Sequence, residues 1–262
     1  MNTFFNIRYE FDKEQVHRAI ARRLSCDGSD YICVADGVIM DNVNRKPSYR
    51  KVVNDGMFAV CDSSYVPLYI KWLYGVKLEQ YCGWQIFGDI VGSRKYRMAF
   101  VGASREILDG LKKSLRDINP DVDGMLFYEL PFMDVADFDY RQIASTLEAD
   151  RADVVWVALG APKQERFMSR LKPHLSHGVM IGVGAVFKFY SGVGVSRAPQ
   201  WMIDHHLEFV YRLWKEPRKQ AKRCAWIVTT LPWLLFKEWL RKNRREDRAQ
   251  IKDSMADASD EA

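Results

Sequence analysis

The chain has 262 residues, 48% hydrophobic and 28% charged, which is enough apolar content to bury a core and excludes a wholly disordered or fibrous chain. Its formal net charge of +5 (39 Lys and Arg against 34 Asp and Glu) leaves nucleic acid, an anionic membrane or phosphorylated substrates as partners, so the distribution of charge must decide. The five cysteines, Cys26, Cys33, Cys61, Cys82 and Cys224, are odd in number and lack C-x-x-C spacing, which predicts free, reduced thiols.

Residues 1–12 alternate aromatic with charged or polar side chains and lack the basic start and apolar run of a secretory signal, so a cytoplasmic chain is expected. Beyond them, short apolar runs at 31–35, 57–61, 97–101, 154–159 and 179–183 predict strands. Amphipathic stretches at 13–24, 38–54, 66–74, 105–115, 140–147 and 162–171 predict helices. This alternation predicts an α/β fold with a Rossmann-like, mostly parallel, doubly wound sheet, and the nearly unbroken apolar character of the strands fits burial on both faces.

The C-terminal part differs in composition. Lys215, Arg218, Lys219, Lys222, Arg223, Lys237, Arg241, Lys242, Arg244 and Arg245 stand against Glu216 and Glu238 alone. Between them lies an aromatic-rich apolar run, 224–240, whose unbroken apolar stretch is far below the roughly 20 residues that span a bilayer. Ile227, Leu231, Leu234, Leu235 and Trp239 fall on one helical arc, and Thr230, Lys237, Arg241 and Arg244 on another, a pattern that predicts an interfacial anchor. The bland alternative is a helix packed on the core. The expected organisation is a Rossmann-like domain over 1–214, a basic, Trp-rich helical membrane-associating appendage over 215–246 and a disordered tail over 247–262.

Three strand-to-helix loops can carry chemistry. Gly102-Ala103-Ser104 follows the strand at 97–101, and Ser104 can cap the next helix. Gly160-Ala161-Pro162-Lys163-Gln164-Glu165 follows the strand at 154–159; Pro162 suits the first helical position, and free backbone N–H groups with Lys163 and Gln164 favour an anion. Gly182-Val183-Gly184 opens the third, and its glycines permit close approach of backbone to a ligand. None is a G-x-G-x-x-G or a G-x-x-x-x-G-K-[ST], so the usual dinucleotide and P-loop fingerprints are lacking. Asp137-Phe138-Asp139 matches a metal-binding D-x-D but precedes a helix and reads as surface or cap, and adjacent His205 and His206 diverge by about 100 degrees on a helix, so no metal site is expected.

Taken together, the segments resemble the WecG/TagA/CpsF family of bacterial glycosyltransferases, glycosyltransferase family 26. The resemblance rests on the Gly160–Glu165 loop, the run Gly182-Val183-Gly184-Ala185-Val186-Phe187-Lys188-Phe189, Arg197-Ala198-Pro199-Gln200-Trp201-Met202, Leu207-Glu208-Phe209-Val210-Tyr211-Arg212-Leu213 and Glu216-Pro217-Arg218. It implies an inverting, metal-independent hexosyl- or N-acetylhexosaminyltransferase, without a cofactor. Such an enzyme moves a sugar from a UDP donor to a polyprenyl-diphosphate-linked sugar in polysaccharide, teichoic acid or exopolysaccharide synthesis.

The family's base, an Asp after an apolar strand, corresponds to Asp62 in Val60-Cys61-Asp62. Substrate contacts are expected from Asp36, Gly102, Ser104, Gly160, Ala161, Pro162, Lys163, Gln164, Gly184, Lys188, Arg212 and Arg218, with Lys163, Arg212 and Arg218 facing the leaving diphosphate. The partners implied are the donor, the acceptor and the inner face of the plasma membrane, where the chain sits peripherally, without nucleic acid; homo-oligomerisation stays open. Departures at Val34-Ala35-Asp36, Gln80–Gln85 and Lys188 leave the sugars open. The rival readings are a nucleotide-sugar-modifying enzyme and a non-catalytic basic protein that binds lipid or nucleic acid.

Overall fold

The computed structural model describes residues 2–193, 202, 210, 211, 214 and 229–244. One sheet carries the fold. Its strands are β1 (Asn2–Phe4), β2 (Ile7–Tyr9), β3 (Asp30–Ala35), β4 (Phe58–Cys61), β5 (Met98–Gly102), β6 (Leu126–Tyr128), β7 (Val154–Ala158) and β8 (Val179–Gly182), in the order β1-β2-β4-β3-β8-β7-β5-β6. The β1–β2 hairpin is antiparallel, and every pairing from β2 across to β6 is parallel.

Because side chains alternate along a strand, each central strand feeds two cores. Ile32, Val34, Phe100 and Trp156 point to one, where α1 (Lys13–Leu24), α5 (Gly83–Ser93), α6 (Arg105–Arg116) and α9 (Val186–Ser191) cover the sheet. Tyr31, Cys33, Val101 and Val157 point to the other, under α2 (Gly37–Arg45), α3 (Pro47–Asp55), α4 (Val66–Tyr74), α7 (Tyr140–Asp150) and α8 (Lys163–Leu171). Burial on both faces is why these strands read as unbroken apolar runs. Crossovers that step towards β6 place α1, α5 or α6 on the first face. Those stepping back place α2 and α3, α7 or α8 on the second, so a single hand serves throughout.

Most predicted elements fall within one to three residues of the observed ones. The stretch 38–54 is two helices, not one: Lys46 is extended (φ −120, ψ 102), because Pro47 disfavours helical geometry at the residue before it and offers no N–H of its own. Asp139 caps α7 by accepting from the N–H groups of Arg141 and Gln142, as expected for the D-x-D look-alike.

Residues 229–244 form a further helix, α10, that lies on the second face. Leu234 is buried there, with Leu231 and Leu235 packed beside it, so these three of the arc expected to meet lipid meet the body of the protein, whereas Trp239 of that arc is exposed and Ile227 lies outside the described residues. Glu238, also buried, accepts from the Tyr74 hydroxyl at 2.8 Å and pairs with Arg241 at 3.0 Å. The outward side carries Trp233, Phe236 and Trp239. No helix among the described residues is long and apolar enough to cross a membrane.

Candidate active site

The loops singled out in the sequence meet at the carboxyl edge of the sheet. After β3, β4 and β7 the chain turns to helices on the second face, and after β8 and β5 to helices on the first. Neighbouring strands whose chains part to opposite faces leave a crevice between them, and β3/β8, β8/β7 and β7/β5 are three such pairs in a row. Asp36, Gly184, Gly160 and Gly102 each stand at or just past the end of one of those strands, and Asp62 stands one strand further along.

The backbone at this edge is shaped for close approach. Gly102, Gly160 and Gly184 have φ of +94, +76 and +56, and Ala103, which is not a glycine, sits at +60. Consecutive positive-φ residues at 102 and 103 are costly for an alanine, the kind of local strain that is held at functional sites. A Cβ on Gly102 would stand 3.1 Å from the Ala158 carbonyl oxygen. Gly102→Ala is therefore expected to lower stability by about 2 kcal/mol, read as the shift in urea midpoint at constant slope. A midpoint matching wild type would show that the loop relaxes at no cost.

The loop after β7 is tied internally. The N–H groups of Lys163 and Gln164 both point to the Gly160 carbonyl, at 2.9 and 3.0 Å. The buried Gln164 amide accepts from the Gly160 N–H at 3.2 Å and donates to the Gly182 carbonyl at 3.1 Å, bracing this loop against the one after β8. These N–H groups are thus engaged within the protein, where the sequence led to an expectation of open donors. Helix α8 starts at Lys163, so Pro162, preceded by a cis peptide, is its N-cap and not its first residue. Lys163 donates to the Met133 carbonyl and lies 5.2 and 5.3 Å from the ring centres of Phe132 and Phe138, which pins the loop after β6 to the edge.

Glu165, which the sequence offered only as the last letter of its motif, is fully buried beneath that loop. Tyr49 on α3 donates to its Oε2 at 3.0 Å. Burial raises its carboxyl to about 7, against the opposing hydrogen bonds of Gln164, its own backbone and Tyr49, with Asp36 adding to the rise. Asp36 is the N-cap of α2 and accepts from the N–H groups of Val38 and Ile39, each at 3.0 Å.

Asp62 is exposed, and its Oδ1 accepts from the Gly83 N–H at 2.8 Å. Gly83 opens α5, so the carboxylate rests at the positive end of that helix and not at the start of α4. The fit is close: a Cβ on Gly83 would meet Val34 at 3.0 Å and Val186 at 3.5 Å. The next residue, Trp84, stacks on Tyr190 of α9 with ring centres 4.0 Å apart. α5 is held from below by Phe87, whose ring meets Trp156 at 4.8 Å and Phe187 at 6.0 Å. Neither Phe87 nor Trp84 was singled out in the sequence. Beside Asp62, burial pushes the Cys61 thiol up to about 12, which keeps it protonated and a poor nucleophile.

Ser104 is the N-cap of α6 but makes no side-chain capping bond, and Lys188 is exposed on α9. Arg212 and Arg218 lie outside the described residues, as do His205 and His206. Among the described residues, no three His, Cys, Asp or Glu side chains gather into a set that could hold a metal ion.

A doubly wound sheet with glycine-shaped loops and an exposed carboxylate at its carboxyl edge defines an α/β protein built to hold a ligand there. The family model described as "Glycosyl transferase WecG/TagA/CpsF family" matches residues 3–245, and the chain belongs to that family. It is a glycosyltransferase, which sets aside the two rival readings. An N-acetylglucosaminyldiphosphoundecaprenol N-acetyl-β-D-mannosaminyltransferase from Bacillus spizizenii is 27% identical over 206 residues, covering 74% of this chain and 75% of the relative. The protein of the same description from Bacillus subtilis is 27% identical over 198 residues, covering 71% and 75%.

Proposed function

We propose that this protein moves an N-acetylhexosamine from a UDP donor to an amino sugar linked through diphosphate to a polyprenol, with inversion and without a metal ion, at the cytoplasmic face of the membrane. The observation that carries the reading is Asp62. It is a solvent-open carboxylate, oriented by the Gly83 N–H at the mouth of a nucleotide-type crevice, in a chain whose relatives are named for this class of transfer.

In the proposed reaction the acceptor hydroxyl attacks the anomeric carbon from the face opposite the diphosphate, and its proton passes to Asp62 as the new C–O bond forms and the bond to the leaving phosphate breaks. The Gly83 N–H, bonded to Oδ1, orients the carboxylate that takes the proton. Negative charge then grows on the departing UDP, which we assign to the positive-φ turn at Gly102 and Ala103 and the edge beside Gly160 and Gly184. Lys163, Lys188, Arg212 and Arg218 supply positive charge, and Asp36 and Gln164 hold the surrounding loops. Trp233, Phe236 and Trp239 on α10, with the basic residues around them, rest on the bilayer that carries the acceptor.

The test is UDP release by the purified protein with a panel of UDP-N-acetylhexosamines and a GlcNAc-diphosphoprenyl acceptor, after EDTA treatment. Release that requires both substrates and survives EDTA is the expected result. Release that proceeds equally without acceptor, or that stops with EDTA and returns with a divalent ion, overturns it.

A further inference from the structure

Of the large apolar side chains exposed among the described residues, Leu68, Trp72, Val76, Trp233, Phe236 and Trp239 lie on α4, just beyond it or on α10, and Phe132, Val210 and Trp214 lie elsewhere. None lies on α1, α5, α6 or α9, and several gather on α4 and just beyond it: Leu68 is 45% exposed, Trp72 74% and Val76 47%. Leu68 and Trp72, with exposed Lys71 between them, share one helical face, opposite the face that buries Val66, Ile70 and Leu73. A folded monomer has no internal reason to hold a Trp three-quarters in water on a helix whose other side is well packed.

α10 is the neighbour of α4, through the Tyr74–Glu238 hydrogen bond, and its own outward side is aromatic. We infer that α4 is a second membrane-docking element, which lays Leu68 and Trp72 into the headgroup boundary of an anionic bilayer beside α10. The inference rests on the membrane reading proposed above and adds a part of the catalytic domain to it.

The charges favour lipid over protein. Lys71 and Lys77 flank the α4 face with Glu79 the nearby acid in sequence, and Lys237 and Arg244 flank the outward side of α10, while Glu238 is buried and paired. Anionic headgroups complement such a rim. A second copy of the chain, placed face to face by a twofold axis, would set lysine against lysine. Trp at the centre with Lys at the edge is also the amphipathic order of an interfacial helix. Geometry supplies the purpose: α4 begins four residues after Asp62, so docking α4 brings the proposed base to the depth at which a lipid diphosphate is presented.

The test compares wild type with Leu68→Ser/Trp72→Ser and with Trp233→Ser/Phe236→Ser. Flotation uses vesicles of phosphatidylcholine with and without phosphatidylglycerol, alongside UDP release with a short-chain, water-soluble diphosphate-linked acceptor. The α4 variant is expected to bind anionic vesicles about tenfold more weakly, with release from the short-chain acceptor unchanged. Binding equal to wild type, while the α10 variant is impaired, overturns the role of α4 and leaves the membrane reading standing. If wild type itself fails to bind anionic vesicles, the membrane reading falls and the inference with it. Light scattering that shows a wild-type dimer split by the α4 variant assigns the face to a second copy and overturns the proposal.

Discussion

Asp62→Asn is expected to lower acceptor-dependent UDP release by about 100- to 10,000-fold, the range over which a positioned general base contributes. The substitution is chosen because it preserves shape. The amide oxygen of the substituted side chain can still accept the Gly83 N–H, so the start of α5 and its contacts with Val34 and Val186 stay in place, and only the ability to take a proton is removed. Donor binding should therefore hold, with an unchanged dissociation constant for UDP and an unchanged melting temperature. A rate within tenfold of wild type would mean that Asp62 is no base and serves only as an acceptor for the first N–H of α5. Loss of UDP affinity in parallel with rate would point to a positioning role instead.

That distinction was out of reach in the sequence. Val60-Cys61-Asp62 followed by a predicted helix at 66–74 made a cap of α4 the natural alternative to catalysis. The structure gives Asp62 a different partner, Gly83, 21 residues away and beyond α4 in the chain. No local pattern specifies such a contact. α5 itself escaped prediction because Gly83, Gly88 and Gly92 depress its helix propensity, and the burial of Ile86, Phe87, Ile90 and Val91 is what makes it a helix.

The five parallel strands β3, β4, β5, β7 and β8 were easy to read for the converse reason, whereas the half-buried β6 was not predicted. Burial on both faces writes an unbroken apolar run into the chain, and the glycines that end β5 and β8 and follow β7 mark where each run stops. The break at Lys46 was missed by the single helix expected over 38–54, although Pro47 announces it. β1 and β2 are three-residue strands turned by Phe5 and Asn6 at positive φ, too short for a periodic signal to register. α10 shows the limit of a helical arc argued alone: apolar residues cover both its sides, and Glu238 faces the core because Tyr74 and Arg241 receive it.

Glu165 yields the second large effect, on stability and with a defined sign. Its carboxyl stands at about 7 in the folded chain, raised first by burial, against 4.5 for an ordinary glutamate. Between those values the folded chain holds a proton that the unfolded chain has released. The fold binds more protons there, and stability must fall as pH rises through the window. Over that interval, at about 1.4 kcal/mol per pH unit, the loss amounts to about 3 kcal/mol. The groups around the carboxyl do not cancel it: the Tyr49 hydroxyl donates one hydrogen bond, Cys33 is a buried thiol, and Asp36 is a further acid. Glu165→Gln keeps the shape and removes the charge. Its melting temperature is expected to match wild type near pH 4 and to exceed it at pH 8 by roughly 6–12 °C, at about 2–4 °C per kcal/mol for a chain of this size. Two parallel curves would show that Glu165 keeps one protonation state in both forms of the chain. A variant less stable at both pH values would show that the carboxyl's contact with Tyr49 outweighs the cost of burying it.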